Sequence, residues 1–128
     1  MRLNQVTLPC LDIAQSREFY LRMGFTLIVD SVHYLRFLCE EGSSTFSLHL
    51  SETDSTNHSI TYFECNDLEA RYQKLIQQGF EFSTGIEDQS WGWREIRLLD
   101  PSGNKLCLYF AGENRINPPW RVTVKQNQ

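Results

Sequence analysis

Residues standing 55 positions apart in this chain match in kind and in order: Cys10, Asp12, Ile13, Gly24 and Phe25 are answered by Cys65, Asp67, Leu68, Gly79 and Phe80. Each set spells the same sequence of elements: a strand, an acidic helix start, a short amphipathic helix, then Gly-Phe into a new strand. Two such units at one spacing, each followed by further strand-like segments, define a duplicated module. A duplication of this kind places its site at the seam between the copies, and the function is expected there.

Composition sets bounds rather than chemistry. A chain of 128 residues makes one compact domain that buries roughly two-thirds of its unfolded surface. A net charge of −4 supplies no basic footprint, so nucleic acid and anionic lipid are not expected partners. No apolar run is long enough to span a bilayer, and the N-terminal segment does not read as a signal peptide. The cysteines at 10, 39, 65 and 107 form no CxxC pair or dense framework. Reduced thiols and a cytoplasmic location are the expectation.

In the first copy, residues 3–8 alternate as a strand up to Pro9. Asp12 is a good N-cap with Gln15 three positions on, and Ile13, Phe19, Tyr20 and Met23 make the apolar stripe of a helix that Gly24 ends. Phe25–Val29, Tyr34–Cys39 and Thr45–Leu50 read as strands, and the polar run 51–58 as a linker. The second copy restarts with a strand at Ile60–Cys65 and a helix capped by Asp67 and ended by Gly79. Strands are then expected near Glu81-Phe82, at Trp93–Leu99 and at Lys105–Phe110, the last two joined by the turn Asp100-Pro101-Ser102-Gly103-Asn104. One domain over 1–128 therefore divides into module one (about 2–50), a linker (about 51–58), module two (about 59–110) and a tail (about 111–128).

Strand parity separates two faces. One set, Val6, Leu8, Leu35, Phe37, Phe46, Leu48, Leu50, Thr61, Phe63, Ile96, Leu98, Leu106, Leu108 and Phe110, is mostly apolar and suits a sheet face covered by the helices. The opposite parity mixes aromatic, polar and charged residues: Gln5, Thr7, Arg36, Ser47, His49, Tyr62, Glu64, Trp93, Glu95, Arg97, Cys107 and Tyr109. That mixture is typical of a ligand cavity rather than a plain solvated face.

The twice-repeated βαβββ pattern resembles the glyoxalase/bleomycin-resistance/dihydroxybiphenyl dioxygenase group, the vicinal oxygen chelate superfamily. The matching residues are Leu11-Asp12-Ile13, Glu18-Phe19-Tyr20 and Met23-Gly24-Phe25 in the first module. In the second they are Asn66-Asp67-Leu68, Gln78-Gly79-Phe80 and Leu99-Asp100-Pro101-Ser102-Gly103-Asn104-Lys105-Leu106. The tail segments Gly112-Glu113-Asn114-Arg115 and Pro118-Pro119-Trp120 are similar to an uncharacterised subgroup of the same family. The resemblance implies an α+β fold: two βαβββ modules forming a curved, mostly antiparallel, incompletely closed barrel-like sheet with helices outside. It also implies a ligand cup and, because exposed sheet edges need covering, a homodimer.

Metal-dependent members of that group bind a divalent ion through the first and fourth strands of each module. By resemblance those positions are Gln5, His49, Ile60 and Cys107. Gln5 and His49 suit the pattern, whereas Ile60 has no donor atom and Cys107 stands where a carboxylate is usual. No cofactor is therefore expected, and the leading function is metal-independent binding of a small organic molecule. Tyr62, Trp93 and Tyr109 would stack on the ligand, while Gln5, Arg36, His49, Arg97, Glu95 and Cys107 would line its polar side. The alternative is a metal-dependent lyase, isomerase or dioxygenase with a non-standard ligand set drawn from Gln5, His49, Glu64, Glu95 or His58. A third reading is a degenerate member kept for protein association.

Several of these residues admit a second role. Glu64 and Glu95 act as general acid or base if buried alone, or as ion-pair partners of Arg36 and Arg97. Cys107 is a nucleophile only beside a positive neighbour, and otherwise fills the core. Trp91-Gly92-Trp93 makes an aromatic lid, or Trp93 simply packs on the sheet.

Overall fold

A computed structural model describes residues 1–53 and 57–122. The expected linker and tail thus lie partly outside the described residues. Module one runs β1 (Gln5–Cys10), α1 (Ile13–Met23), β2 (Thr26–Asp30), β3 (Tyr34–Leu38) and β4 (Thr45–Leu50). Module two runs β5 (Ile60–Glu64), α2 (Leu68–Gln77), β6 (Glu87–Asp88), β7 (Arg94–Leu99) and β8 (Lys105–Phe110), followed by a 3-10 turn at Gly112–Arg115. The sheets have strand orders β1-β4-β3-β2 and β5-β8-β7-β6. Only β1·β4 and β5·β8 pair in parallel, so the architecture is the expected α+β duplication with mostly antiparallel sheets. No described helix is long and apolar enough to cross a membrane.

The repeated Gly-Phe has a local cause. Gly24 and Gly79 take φ of +108° and +91°, a left-handed conformation that costs glycine least. The following amides, Phe25 and Phe80, then donate to the carbonyls of Tyr20 and Leu75, closing each helix with a Schellman turn. At the other end the two helices differ. Asp12 is extended (φ −145°, ψ 110°) and accepts the Gln15 amide at 2.9 Å. Asp67 has ψ of 45° and makes no side-chain cap, because that backbone does not aim its carboxylate at the first-turn amides.

The strand expected at Glu81-Phe82 is absent, and the two-residue β6 lies further on at Glu87–Asp88. Phe82 packs on Tyr72, at 5.0 Å between ring centres, which holds this stretch against α2. Ser83 gives one backbone bond to Arg97, but the Thr84 hydroxyl takes the Arg97 amide at 3.2 Å and interrupts the ladder there.

Most of the apolar parity forms the core, but Val6 on the edge strand β1 and Phe110 at the end of β8 are exposed. Leu8, Leu35, Phe37, Phe46 and Leu48 of module one share a single cluster with Leu68, Leu75, Ile96, Leu98, Leu106 and Leu108 of module two. Phe63 meets Phe25 at 5.0 Å and Phe46 at 5.4 Å, and Phe19 meets Phe80 at 5.2 Å. The modules thus join through their helix-bearing sides. The β7–β8 turn also grips module one: Asn104 Nδ2 donates to the Pro9 carbonyl at 2.7 Å and Leu11 N–H to Ser102 Oγ at 2.9 Å.

Candidate functional site

The opposite parity faces away from this core on both sheets, and it carries two separate groups of side chains. On module one, Gln5 Nε2 donates to Ser47 Oγ at 2.9 Å, and Thr45 Oγ1 donates to Gln5 Oε1. Tyr34 Oη shares a hydrogen bond with the same Ser47 hydroxyl. Arg36 donates to Tyr34 Oη from Nε at 3.0 Å and from Nη2 at 2.8 Å. The strands explain the grouping: Gln5 and Thr45 are register partners across β1·β4, as are Arg36 and Ser47 across β3·β4. Burial pushes the Tyr34 phenol up, but the Ser47 and Arg36 bonds and the guanidinium charge together bring it below its usual value. Arg36 has no carboxylate partner among the described residues.

On module two, Trp93 stacks on Tyr109 with ring centres 4.6 Å apart and planes at 22°. Tyr62 meets both edge-on, at 5.8 Å from Trp93 and 5.6 Å from Tyr109. Beside this box, Arg97 donates to the buried Glu95 carboxylate at 3.1 Å. Of the two partners expected for the carboxylates, Arg97 is found with Glu95, but Glu64 pairs with Arg115 at 3.6 Å. Glu64 Oε2 also accepts the amides of Ala111 and Gly112, which ties the tail to the edge of this face. Asn114 closes the same edge. Its carbonyl accepts the Trp93 indole N–H at 3.4 Å, and its side chain would lie 2.6 Å from a Cβ placed on Gly92.

Cys107 is fully buried, 3.5 Å from Glu95 Oε2. Burial first, then the Glu95 charge, pushes its thiol up to about 12. A protonated thiol at that depth fills space and does not attack. Native protein at pH 8 is accordingly expected to leave Cys107 unmodified by iodoacetamide, with full labelling only after denaturation. Peptide mapping that finds rapid native labelling at Cys107 would contradict this.

His49 does not join the module-one network. The β4 residue that meets Gln5 is Ser47, because β1·β4 register sets His49 opposite Pro9, about 13 Å further along the strand at ~3.3 Å per residue. His49 is exposed and lines a shallow concavity of about 460 Å³ with Thr7, Pro9 and Ser51. The repeat agrees: β4 and β8 start at Thr45 and Lys105, so the counterpart of Cys107 on β8 is Ser47 on β4. The four positions where the family pattern would put a metal are therefore Gln5, Ser47, Ile60 and Cys107. This set has a neutral amide already bonded to three hydroxyls, a hydroxyl, a hydrocarbon and a protonated thiol. It does not fit a divalent ion, which needs anionic oxygen, imidazole or thiolate. No group of three His, Cys, Asp or Glu among the described residues is placed to hold one. His58 precedes β5 and is exposed, so it does not replace Ile60.

Tyr34 and Thr45 are members of the site that the sequence did not single out, and Ser47 was placed on this face but given no role. Tyr34 and Ser47 share the parity of Arg36 and Gln5, which was the available signal. No hydrogen bond, ion pair or aromatic contact among the described residues links the module-one network to the module-two box. One chain displays both groups but does not bring them face to face.

Comparison with known proteins follows the same lines. The family model described as Glyoxalase/Bleomycin resistance protein/Dioxygenase superfamily matches residues 2–108. A bleomycin-binding protein complexed with bleomycin superposes with a TM-score of 0.70 at 21% identity, over 86% of this chain and 98% of that one. A superfamily member from Sphaerobacter thermophilus DSM 20745 gives 0.73 at 20% identity, over 86% and 97%. A lactoylglutathione lyase from Agrobacterium tumefaciens gives 0.75 at 12% identity, over 91% and 96%. A search of curated proteins finds no match. At these identities the likeness is one of fold.

Proposed function

The chain belongs to the glyoxalase/bleomycin resistance protein/dioxygenase superfamily, and on that premise we propose that it binds a small organic molecule in a cup completed by a second copy of itself. The observation that carries this is the Trp93–Tyr109 stack with Tyr62 at its edge. These rings stand on the face turned away from the core, and Tyr62 is 41% exposed. Aromatic rings held in fixed mutual geometry beside a buried Glu95–Arg97 pair form a preorganised wall for a flat ligand. The module-one network supplies the complementary wall, with the Arg36 guanidinium free to meet an acid group. Since the two walls do not converge in one chain, a twofold pair in which module one of each copy faces module two of the other would form two equal cups. The preferred ligand is an aromatic carboxylate or a similar planar anion. The bleomycin-binding neighbour, whose complex holds an organic ligand, supports small-molecule binding as the class of function.

The test is a complementation experiment. A panel of aromatic carboxylates is screened by thermal shift, and sedimentation is expected to show a dimer. Arg36→Ala and Trp93→Ala are each expected to weaken the best ligand by about tenfold or more, since each removes a charged or aromatic anchor. Unfolding and refolding the two variants together at equal amounts should restore tight binding in about a quarter of the cups, because a mixed dimer of this geometry has one intact cup. A monomer, or no recovery on mixing, would overturn the shared cup.

A further inference from the structure

The seam between the modules is filled at one end and open at the other. Tyr20 of α1 and Leu75 of α2 hold the same place in the repeat, at the offset that relates Cys10 to Cys65. Tyr34 and Thr45 open β3 and β4 as Arg94 and Lys105 open β7 and β8. Aligned on those strand starts, Glu40 corresponds to Asp100, and Ser44 to Asn104. At the filled end, Tyr20 Oη donates to Asp100 Oδ2 at 2.7 Å, and Asn104 Nδ2 reaches Pro9 O and Asp100 Oδ2. All three side chains are buried there.

At the other end none of these groups is repeated. Leu75 brings no hydroxyl, Ser44 is exposed, and Glu40 turns outward to pair with Arg71 at 2.9 Å. Where Tyr20 and Asn104 fill the seam in one copy, the other has a half-open cavity of about 490 Å³. Phe25, Phe63, Leu75 and Leu108 wall it, and the two rings lie 5.0 Å apart.

We infer that this cavity, which borders the proposed cup at Tyr62, is a second ligand site for a small organic cation with an apolar body. Its size is that of an ordinary small-molecule pocket. The charge around it selects the sign. Four carboxylates border it (Glu40, Glu41, Glu64 and Asp67) against two guanidiniums, Arg71 and Arg115. Arg71 is committed to Glu40 and Arg115 to Glu64, while Glu41 and Asp67 have no ion-pair partner among the described residues. The rim therefore keeps two net negative charges over an aromatic and aliphatic floor. A cation enters with attraction from the rim while its apolar body packs on Phe25 and Phe63, whereas an anion of the same shape is repelled.

Benzylammonium, benzyl alcohol and phenylacetate, one ring with three charges, are the probes. In ¹⁵N-labelled protein, benzylammonium is expected to shift the amides of Phe25, Phe63, Cys65 and Leu75, and to bind about tenfold or more tightly than phenylacetate. Benzyl alcohol falls between them. Leu75→Tyr rebuilds the filled end and is expected to weaken benzylammonium by about tenfold or more. Should that variant not fold, Glu41→Gln with Asp67→Asn, both on exposed rim positions, must remove most of the preference for the cation. Equal binding of phenylacetate, shifts confined to Trp93 and Tyr109, or no saturable binding up to about 10 mM would each overturn the inference. Shifts at Trp93 and Tyr109 would report the proposed cup and not the seam, so the two readings fail separately.

Discussion

Asp100→Ala is expected to lower stability by about 3–5 kcal/mol, because it orphans several buried donors at once. The Asp100 carboxylate is almost fully buried and accepts four hydrogen bonds. They come from Tyr20 Oη at 2.7 Å, Asn104 Nδ2 at 2.8 Å, and the amides of Ser102 and Asn104 at 2.9 Å each. Three of these hold the β7–β8 turn in shape, and the Tyr20 bond ties that turn to the helix of the other module. Hydrogen bonds to a charged group are the stronger kind, and the donors left behind lose their acceptor in a largely buried turn. The midpoint of thermal unfolding, followed by circular dichroism, should fall by roughly 10–20 °C in a domain of this size. Tyr20→Phe removes one donor and leaves three, so it should cost about 1–2 kcal/mol. A loss below about 1 kcal/mol for Asp100→Ala would mean that the turn relaxes and the network is not what joins the modules.

Phe46→Ala is expected to cost about 3–5 kcal/mol as well, by a different route. Its ring is 1% exposed and lies within 5.4 Å, centre to centre, of Tyr20, Phe25, Phe37 and Phe63. Three of those neighbours belong to module one and Phe63 belongs to module two. Truncation therefore opens a void where the modules meet, and rigid strands on both sides limit how far it can close. Equilibrium urea unfolding measures the loss. By contrast, Val6→Ala on the exposed edge strand should stay within about 0.5 kcal/mol of the parent. Similar small effects at both positions would show that the shared aromatic cluster is not the core.

These two substitutions bear on function because they attack what turns the modules back to back. Joining the sheets through their helix-bearing sides leaves Arg36 and Tyr34 on one outward face and Trp93, Tyr62 and Tyr109 on another. The proposed shared cup follows from that orientation. A variant that loosens the seam should therefore weaken ligand binding even though it touches no residue of either wall.

Much of this was legible in the sequence because it is local. A Gly-Phe pair that ends a helix depends only on its near neighbours in the chain, and the Asp100–Asn104 turn carries its own hydrogen bonds. Period-two alternation placed Leu35, Phe37, Phe46 and Leu48 inside, and Arg36 and Ser47 on the other face. The sequence alone thus determined the duplication, the element types apart from β6, and most of the membership of each face. Parity could not say which residues on a face meet. His49 and Ser47 share a face, but only the pairing of β4 with β1, a strand far away in the chain, sets Ser47 beside Gln5. The strand expected at Glu81-Phe82 failed for a similar reason, since Thr84 takes its hydrogen bond from a strand formed later in the chain.

What the tertiary structure decided was the meeting of faces. Two amphipathic modules can join by either side, and the choice rests on contacts such as Phe63 with Phe46 and Tyr20 with Asp100, between residues far apart in the chain. The difference between Tyr20 and Leu75 likewise has no meaning until each helix lies against the other module's turn. There one side chain fills the space and the other leaves a cavity.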